Sequence, residues 1–94
     1  MKYSRNEERV TFEITTENTP NVLHRVVMLL HRLQVEIHAV SMVRRERAET
    51  TRIFVTTLAK GEKVPRIEAS LSNLVEVRGV SIQRAGEKHA TAED

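Results

Sequence analysis

A four-stranded antiparallel sheet carrying two helices on one face, in the order β-α-β-β-α-β, is the α+β fold class that the sequence predicts. Three observations point to it. Apolar residues alternate with period two in residues 10–16, 35–43, 52–58 and 75–82, and they recur at three- and four-residue spacing in 20–34 and 64–74. The middle two strands are joined by a short charged loop, whereas a helix separates the members of each outer pair. Finally, 94 residues with 39% apolar and 30% charged side chains suit one small core. That core is expected in a single domain over 9–84, with tails at 1–8 and 85–94.

In strand one, Val10, Phe12 and Ile14 alternate with Thr11, Glu13 and Thr15. Thr19 before Pro20 reads as a helix cap followed by the first helical residue. Leu23, Val26, Val27, Leu30 and Leu33 then form the apolar stripe of a helix reaching about Gln34, with Arg25, Met28 and Arg32 off the stripe. In strand two both faces carry apolar surface: Val35, Ile37, Ala39 and Val43 on one, Val40 and Met42 on the other. The charged stretch 44–51 is a hairpin loop leading to Arg52–Leu58, strand three. Past Gly61, Val64, Ile67, Leu71 and Leu74 mark helix two, with Pro65 near its start where a missing N–H costs little. In the last strand Val75 and Val77 fall out of phase with Val80 and Ile82, so a bulge is expected at Gly79.

Right-handed crossovers place both helices on one face of this ferredoxin-like arrangement, leaving the other open. Val40 and Met42, or their odd-numbered neighbours, are expected there with either Phe54 or Ile53 and Val55. A contiguous apolar surface of this kind marks a partner, through sheet edge or sheet face.

Several chemistries are excluded. Without cysteine there is no disulfide, thiol nucleophile or thiolate metal site. His24, His31 and His38 recur every seven residues, but two helical turns separate the first pair by about 10 Å, too far for one zinc ion, so no metal is expected. Serines lack a nucleophile context, and no acid–base pair is apparent. The longest apolar run, Val26–Leu30, is far short of the roughly 20 residues that cross a bilayer, and the polar amino terminus lacks a secretory core; a cytoplasmic location is expected. A net charge of +2 gives little reason to expect a polyanionic partner. The most informative stretch is Asn18-Thr19-Pro20-Asn21-Val22-Leu23-His24-Arg25-Val26. Its first helical turn leaves the N–H groups of Asn21, Val22 and Leu23 unpaired, a seat for a carboxylate or phosphate unless Thr19 and water satisfy them.

The Asn-x-Pro-x-Val-Leu-x-Arg-Val turn, the Val35–Met42 strand and the Leu74-Val75-Glu76-Val77-Arg78-Gly79-Val80 segment together resemble the ACT domain. More narrowly, they are similar to the small regulatory subunit of acetolactate synthase, an enzyme of branched-chain amino acid synthesis. The resemblance implies a non-catalytic subunit that activates a thiamine-diphosphate-dependent catalytic subunit. It implies no cofactor on this chain, and a homodimer through strand two and helix one with valine, leucine or isoleucine held at the interface. Carried over position by position, it implies contacts from Asn18, Asn21, Val22 and Leu23 of the turn and from Glu36, Ile37 and His38 of strand two. The chain has Asn21 and Gln34 where glycine is usual and Glu36 where asparagine is usual. Asparagine tolerates left-handed backbone angles, and Glu36 either grips an α-ammonium or repels the effector's carboxylate.

Two other readings share the element order. One is a free-standing ACT sensor of another amino-acid pathway. The other is an RNA-binding module using Phe12 and Phe54 with the arginines of the hairpin loop; the glycine-aromatic signature of such modules is missing, and nucleic acid is not the expected partner.

Overall fold

The computed structural model describes residues 7–45 and 47–84; the expected tail at 85–94, and residues 1–6 of the other, lie outside the described residues. The elements are β1 (Glu7–Glu17), α1 (Val22–Arg32), β2 (Glu36–Arg44), β3 (Thr50–Lys60), a short 3₁₀ turn at Gly61–Lys63, α2 (Val64–Ser72) and β4 (Val77–Arg84). The strands pair antiparallel in the order β2-β3-β1-β4, so β1 and β3 are central and β2 and β4 form the edges. This is the expected four-stranded βαββαβ arrangement.

Alternation decides what is buried. Even-numbered residues of β1 (Val10, Phe12, Ile14) and odd-numbered residues of β3 (Ile53, Val55, Ala59) face the helices. Against them pack Val22, Val26, Leu29 and Leu30 of α1 and Val64, Ile67 and Leu71 of α2. Phe12 lies opposite Val55 on one side and Ile82 on the other, fully buried. The inner face is not wholly apolar. Thr16, Thr51 and Thr57 are buried there, and each hydroxyl finds a partner: Thr57 donates to Val10 O at 3.0 Å, Thr16 to Glu17 O at 3.0 Å, and Thr51 to Asn18 Oδ1 at 3.0 Å. Burial of a hydroxyl is tolerated only on such terms.

Three local expectations change. Thr19 is not the cap and Pro20 is not helical: α1 starts at Val22, and Asn21 stands at the cap with φ 71°, its side chain making no cap bond. The chain leaves β1 tied to the hairpin loop and must reverse sharply to enter α1, which the left-handed Asn21 accomplishes. At the other end α1 closes at Arg32 instead of Gln34. Gln34 takes φ 60°; Val35 N–H bonds to Leu30 O at 3.0 Å and Gln34 N–H to His31 O at 2.9 Å, the two bonds of a Schellman motif built without glycine.

The third change concerns the open face. Val40 and Met42 register with Val55 and Ile53 and turn toward the helices, so the open face receives Ala39, Ser41 and Val43 of β2 and Phe54 and Leu58 of β3. It is not a contiguous apolar surface. Phe54 sits between Ser41 and Glu13, Glu13 is paired with Arg52 at 3.4 Å, and Thr11 and Thr56 hydrogen-bond at 3.0 Å. Both faces of β2 carry apolar residues because the register slips between Ile37 and Ala39, leaving His38 as the extra residue. The expected bulge in β4 forms where Thr15 pairs with Gly79 and Thr16 with Val77.

Candidate functional site

The β1–α1 turn is built by hydrogen bonds to the hairpin loop. Asn18 N–H donates to Glu49 O at 3.0 Å, its Nδ2 donates to Ala48 O at 3.0 Å, and its Oδ1 accepts from the buried Thr51 hydroxyl. Both ends of the amide are thereby used inside the chain, so Asn18 shapes the turn. Arg44, the last residue of β2, approaches Thr19 O at 3.5 Å from the same side. On the other flank Arg25 of α1 reaches Glu76 at 2.9 Å, and Glu17 N–H donates to Glu76 O at 2.8 Å, tying the turn to the start of β4. Two oxygens here are buried without a partner, Thr19 Oγ1 and Glu76 Oε1.

The first intrahelical bond of α1 runs from Arg25 N–H to Asn21 O at 3.0 Å. The amides of Val22, Leu23 and His24 therefore precede the ladder, at the positive end of the helix. The Val22 side chain is buried in the core, Leu23 is half-buried, and Asn21 is exposed. The turn thus presents backbone donors and a polar rim.

Glu36, Ile37 and His38 lie elsewhere. Glu36 registers with Leu58, which pairs with Arg9 near the start of β1, whereas the turn follows Glu17 at its end. Eight residues of strand put roughly 25 Å between the two groups. One chain does not bring them together. At the β2 start the Glu36 carboxylate takes a 2.8 Å contact from His38 Nε2, and Ile37 points toward the helices opposite the buried Thr57.

Sequence reasoning missed the anchors of the turn. Thr51 was detectable as a polar residue in phase with the core positions Ile53 and Val55; Ala48, Glu49 and Glu76 carried no local signal, because they meet Asn18, Glu17 and Arg25 only through sheet pairing.

The open face bears on the RNA reading. A cavity of about 270 Å3 lies there, lined by Val43, Arg45, Ala48, Thr50, Arg52 and Phe54. Phe12 points into the core, so the two strand aromatics stand on opposite faces and do not form a stacking platform. Among the described residues no helix is long and apolar enough to cross a membrane.

No family model matches the chain, and no curated protein matches it. Solved structures do. The acetolactate synthase small subunit from Thermotoga maritima superposes with TM-score 0.71 at 22% identity, over 79% of this chain and 46% of that one. The ACT domain from GTP pyrophosphokinase of Chlorobium tepidum gives 0.71 at 10% identity, over 90% and 96%. The regulatory subunit of aspartate kinase from Thermus thermophilus gives 0.65 at 10%, over 81% and 50%. This chain thus spans about half the length of two of the three. Sequence identity this low across such complete superpositions is evidence about backbone path: the chain has the ferredoxin-like fold of ACT domains.

Proposed function

We propose that this chain is a non-catalytic regulatory module that pairs with a second copy of itself, holds a small amino acid at the joint, and sets the activity of an acetolactate synthase catalytic subunit. One observation carries the reading: the two halves of the candidate site are far apart in one chain, yet a two-fold axis at the β2 edge would bring them together.

The geometry is as follows. Among the described residues β2 is an edge strand with a row of backbone groups that no neighbouring strand pairs, and Val40 and Val43 on it are exposed apolar residues. Antiparallel pairing of β2 with its copy would set the Glu36 end of one strand beside the Arg44 end of the other. Arg44 already touches the turn through Thr19 O. Glu36, Ile37 and His38 of one protomer would then face Asn21, Val22 and Leu23 of its partner, with Asn18 holding the turn in shape. An α-amino acid meets complementary groups in that joint. Its carboxylate accepts from the amides at the start of α1, and its ammonium faces the Glu36 carboxylate. The resemblance to the acetolactate synthase subunit supports that enzyme as the target and a branched-chain side chain on the effector. Feedback then requires that the effector bind two states of the complex unequally, typically by about 1–3 kcal/mol.

The test combines sedimentation at micromolar concentration, calorimetry with valine, leucine and isoleucine, and assay of an acetolactate synthase catalytic subunit with and without this chain. A dimer, saturable heat with one of the three, and a raised rate are expected. A monomer at all concentrations removes the joint and the reading with it. Heat with an amino acid but no effect on the synthase reassigns the module to another pathway.

A further inference from the structure

At the end of the molecule away from the β1–α1 turn, the close of α1 meets the start of α2 around a second cavity, of about 200 Å3. It is lined by Arg32, Leu33, Gln34, Lys63, Arg66 and Ile67. Three cations from α1, the 3₁₀ turn and α2 converge there, and no carboxylate shares the lining. Elsewhere among the described residues, Arg25, Arg52, Arg78 and Arg84 each pair with a glutamate; Arg32, Lys63 and Arg66 enter no ion pair. Acidic residues stand close by without entering the lining: Glu62 precedes Lys63 in the 3₁₀ turn, and Glu7 borders a neighbouring hollow of about 70 Å3 together with Gln34 and Lys63.

Arg32 has an ordinary reason for its place, since a cation in the last turn of a helix complements the carbonyl end. Lys63 and Arg66 have the opposite relation to α2. They stand at its amino end, where an acid is favoured; its first turn contains none, and Lys63 at the cap position makes no side-chain cap bond. Three positive charges thus line a concave wall without an ion-pair partner or a carboxylate in the lining. The apolar edges of Leu33 and Ile67 and the amide of Gln34 complete that wall.

We propose that this groove binds the phosphoryl group of a small phosphorylated molecule. A phosphate monoester carries nearly two negative charges at neutral pH and three strong acceptor oxygens. It can take a planar fork from Arg32 or Arg66 and a point charge from Lys63 at once. A monocarboxylate would neutralise one cation and leave two. The groove is distinct from the β1–α1 turn of its own chain, since α1 puts about 16 Å between its two ends; it adjoins the start of β2, where Gln34 stands two residues before Glu36. All of its lining comes from one chain, so the groove is present whether or not the chain dimerises.

The test is amide NMR of the full chain titrated with inorganic phosphate and with glycerol 3-phosphate, each against sodium acetate and sodium chloride at matched ionic strength. Saturable shifts centred on Gln34, Lys63, Arg66 and Ile67 are expected with both phosphates, at least tenfold tighter than with acetate. The double variant Lys63→Gln/Arg66→Gln alters two exposed side chains. It should lose the phosphate response at least tenfold while keeping its spectrum elsewhere. A thermal melt supplies a second readout: phosphate should raise the midpoint of the native chain and leave the double variant's unmoved. Equal shifts from phosphate and chloride, an unaltered response in the variant, or saturable shifts confined to other residues would each overturn the proposal.

Discussion

Replacing Asn18 by alanine removes the residue that fastens the β1–α1 turn to the hairpin loop, and its cost can be worked from the structure. Two side-chain hydrogen bonds go, one donated to Ala48 O and one accepted from Thr51 Oγ1, both at 3.0 Å. Each contributes a net stabilisation of about 0.5–1.5 kcal/mol, so the pair amounts to about 2 kcal/mol. For a domain of this size each kcal/mol moves the thermal midpoint by about 4–8 °C, which predicts a fall of roughly 8–16 °C for Asn18→Ala. Thermal unfolding followed by circular dichroism measures the fall and urea unfolding the free-energy loss, both at one fixed protein concentration because dimerisation would itself raise the midpoint. The partner supplies a control. Thr51 is buried, and Thr51→Val keeps its shape while removing the donor. Alone it should cost about 1 kcal/mol, and in the Asn18→Ala background much less, a coupling of about 1 kcal/mol. An Asn18→Ala loss under about 0.5 kcal/mol, or strictly additive losses, would refute the assignment of Asn18 as the anchor of the turn.

Other changes probe other parts of the argument. Gln34 holds φ 60° in the helix-closing motif, so Gln34→Gly should stabilise by about 1 kcal/mol in urea unfolding; a loss would mean that the side chain contributes more than the backbone strain costs. Phe12 is fully buried at the centre of the sheet, and Phe12→Ala should cost about 3–5 kcal/mol, with Phe12→Leu a smaller, measurable loss. Arg25→Ala strands the largely buried Glu76 carboxylate and should cost about 1–3 kcal/mol, of which Glu76→Gln in the same background recovers part. Val40→Lys on the β2 edge should shift the sedimentation coefficient from dimer toward monomer without altering the circular dichroism spectrum.

Much of the architecture was legible because it is written in local periods. The alternation of Val10, Phe12 and Ile14 predicted the buried side of β1, and the phase break around Gly79 predicted the β4 bulge. Where local signals failed, a long-range contact had overridden them. Thr19-Pro20 has the pattern of a cap and first turn, yet the bonds from Asn18 to Glu49 and Ala48 hold the chain until Asn21 turns it. On β2 the alternation gave no face, since a strand with apolar residues in both phases resolves only once a bulge at His38 is placed against β3. The candidate site is legible in residue type alone: Asn18 reads as part of a binding turn, and the structure adds that its amide bonds Ala48 O and Thr51 Oγ1.

The amino-acid order by itself determined the element types, their succession and the exclusion of cysteine chemistry, because hydrophobic period and residue inventory are properties of the chain before it folds. Tertiary structure decided which residues meet. The separation of Glu36 from Asn21, the edge position of β2, and the convergence of Arg32, Lys63 and Arg66 depend on strand order and crossover path. Those follow from burying one side of every element at once, a condition on the whole chain that no window of sequence contains.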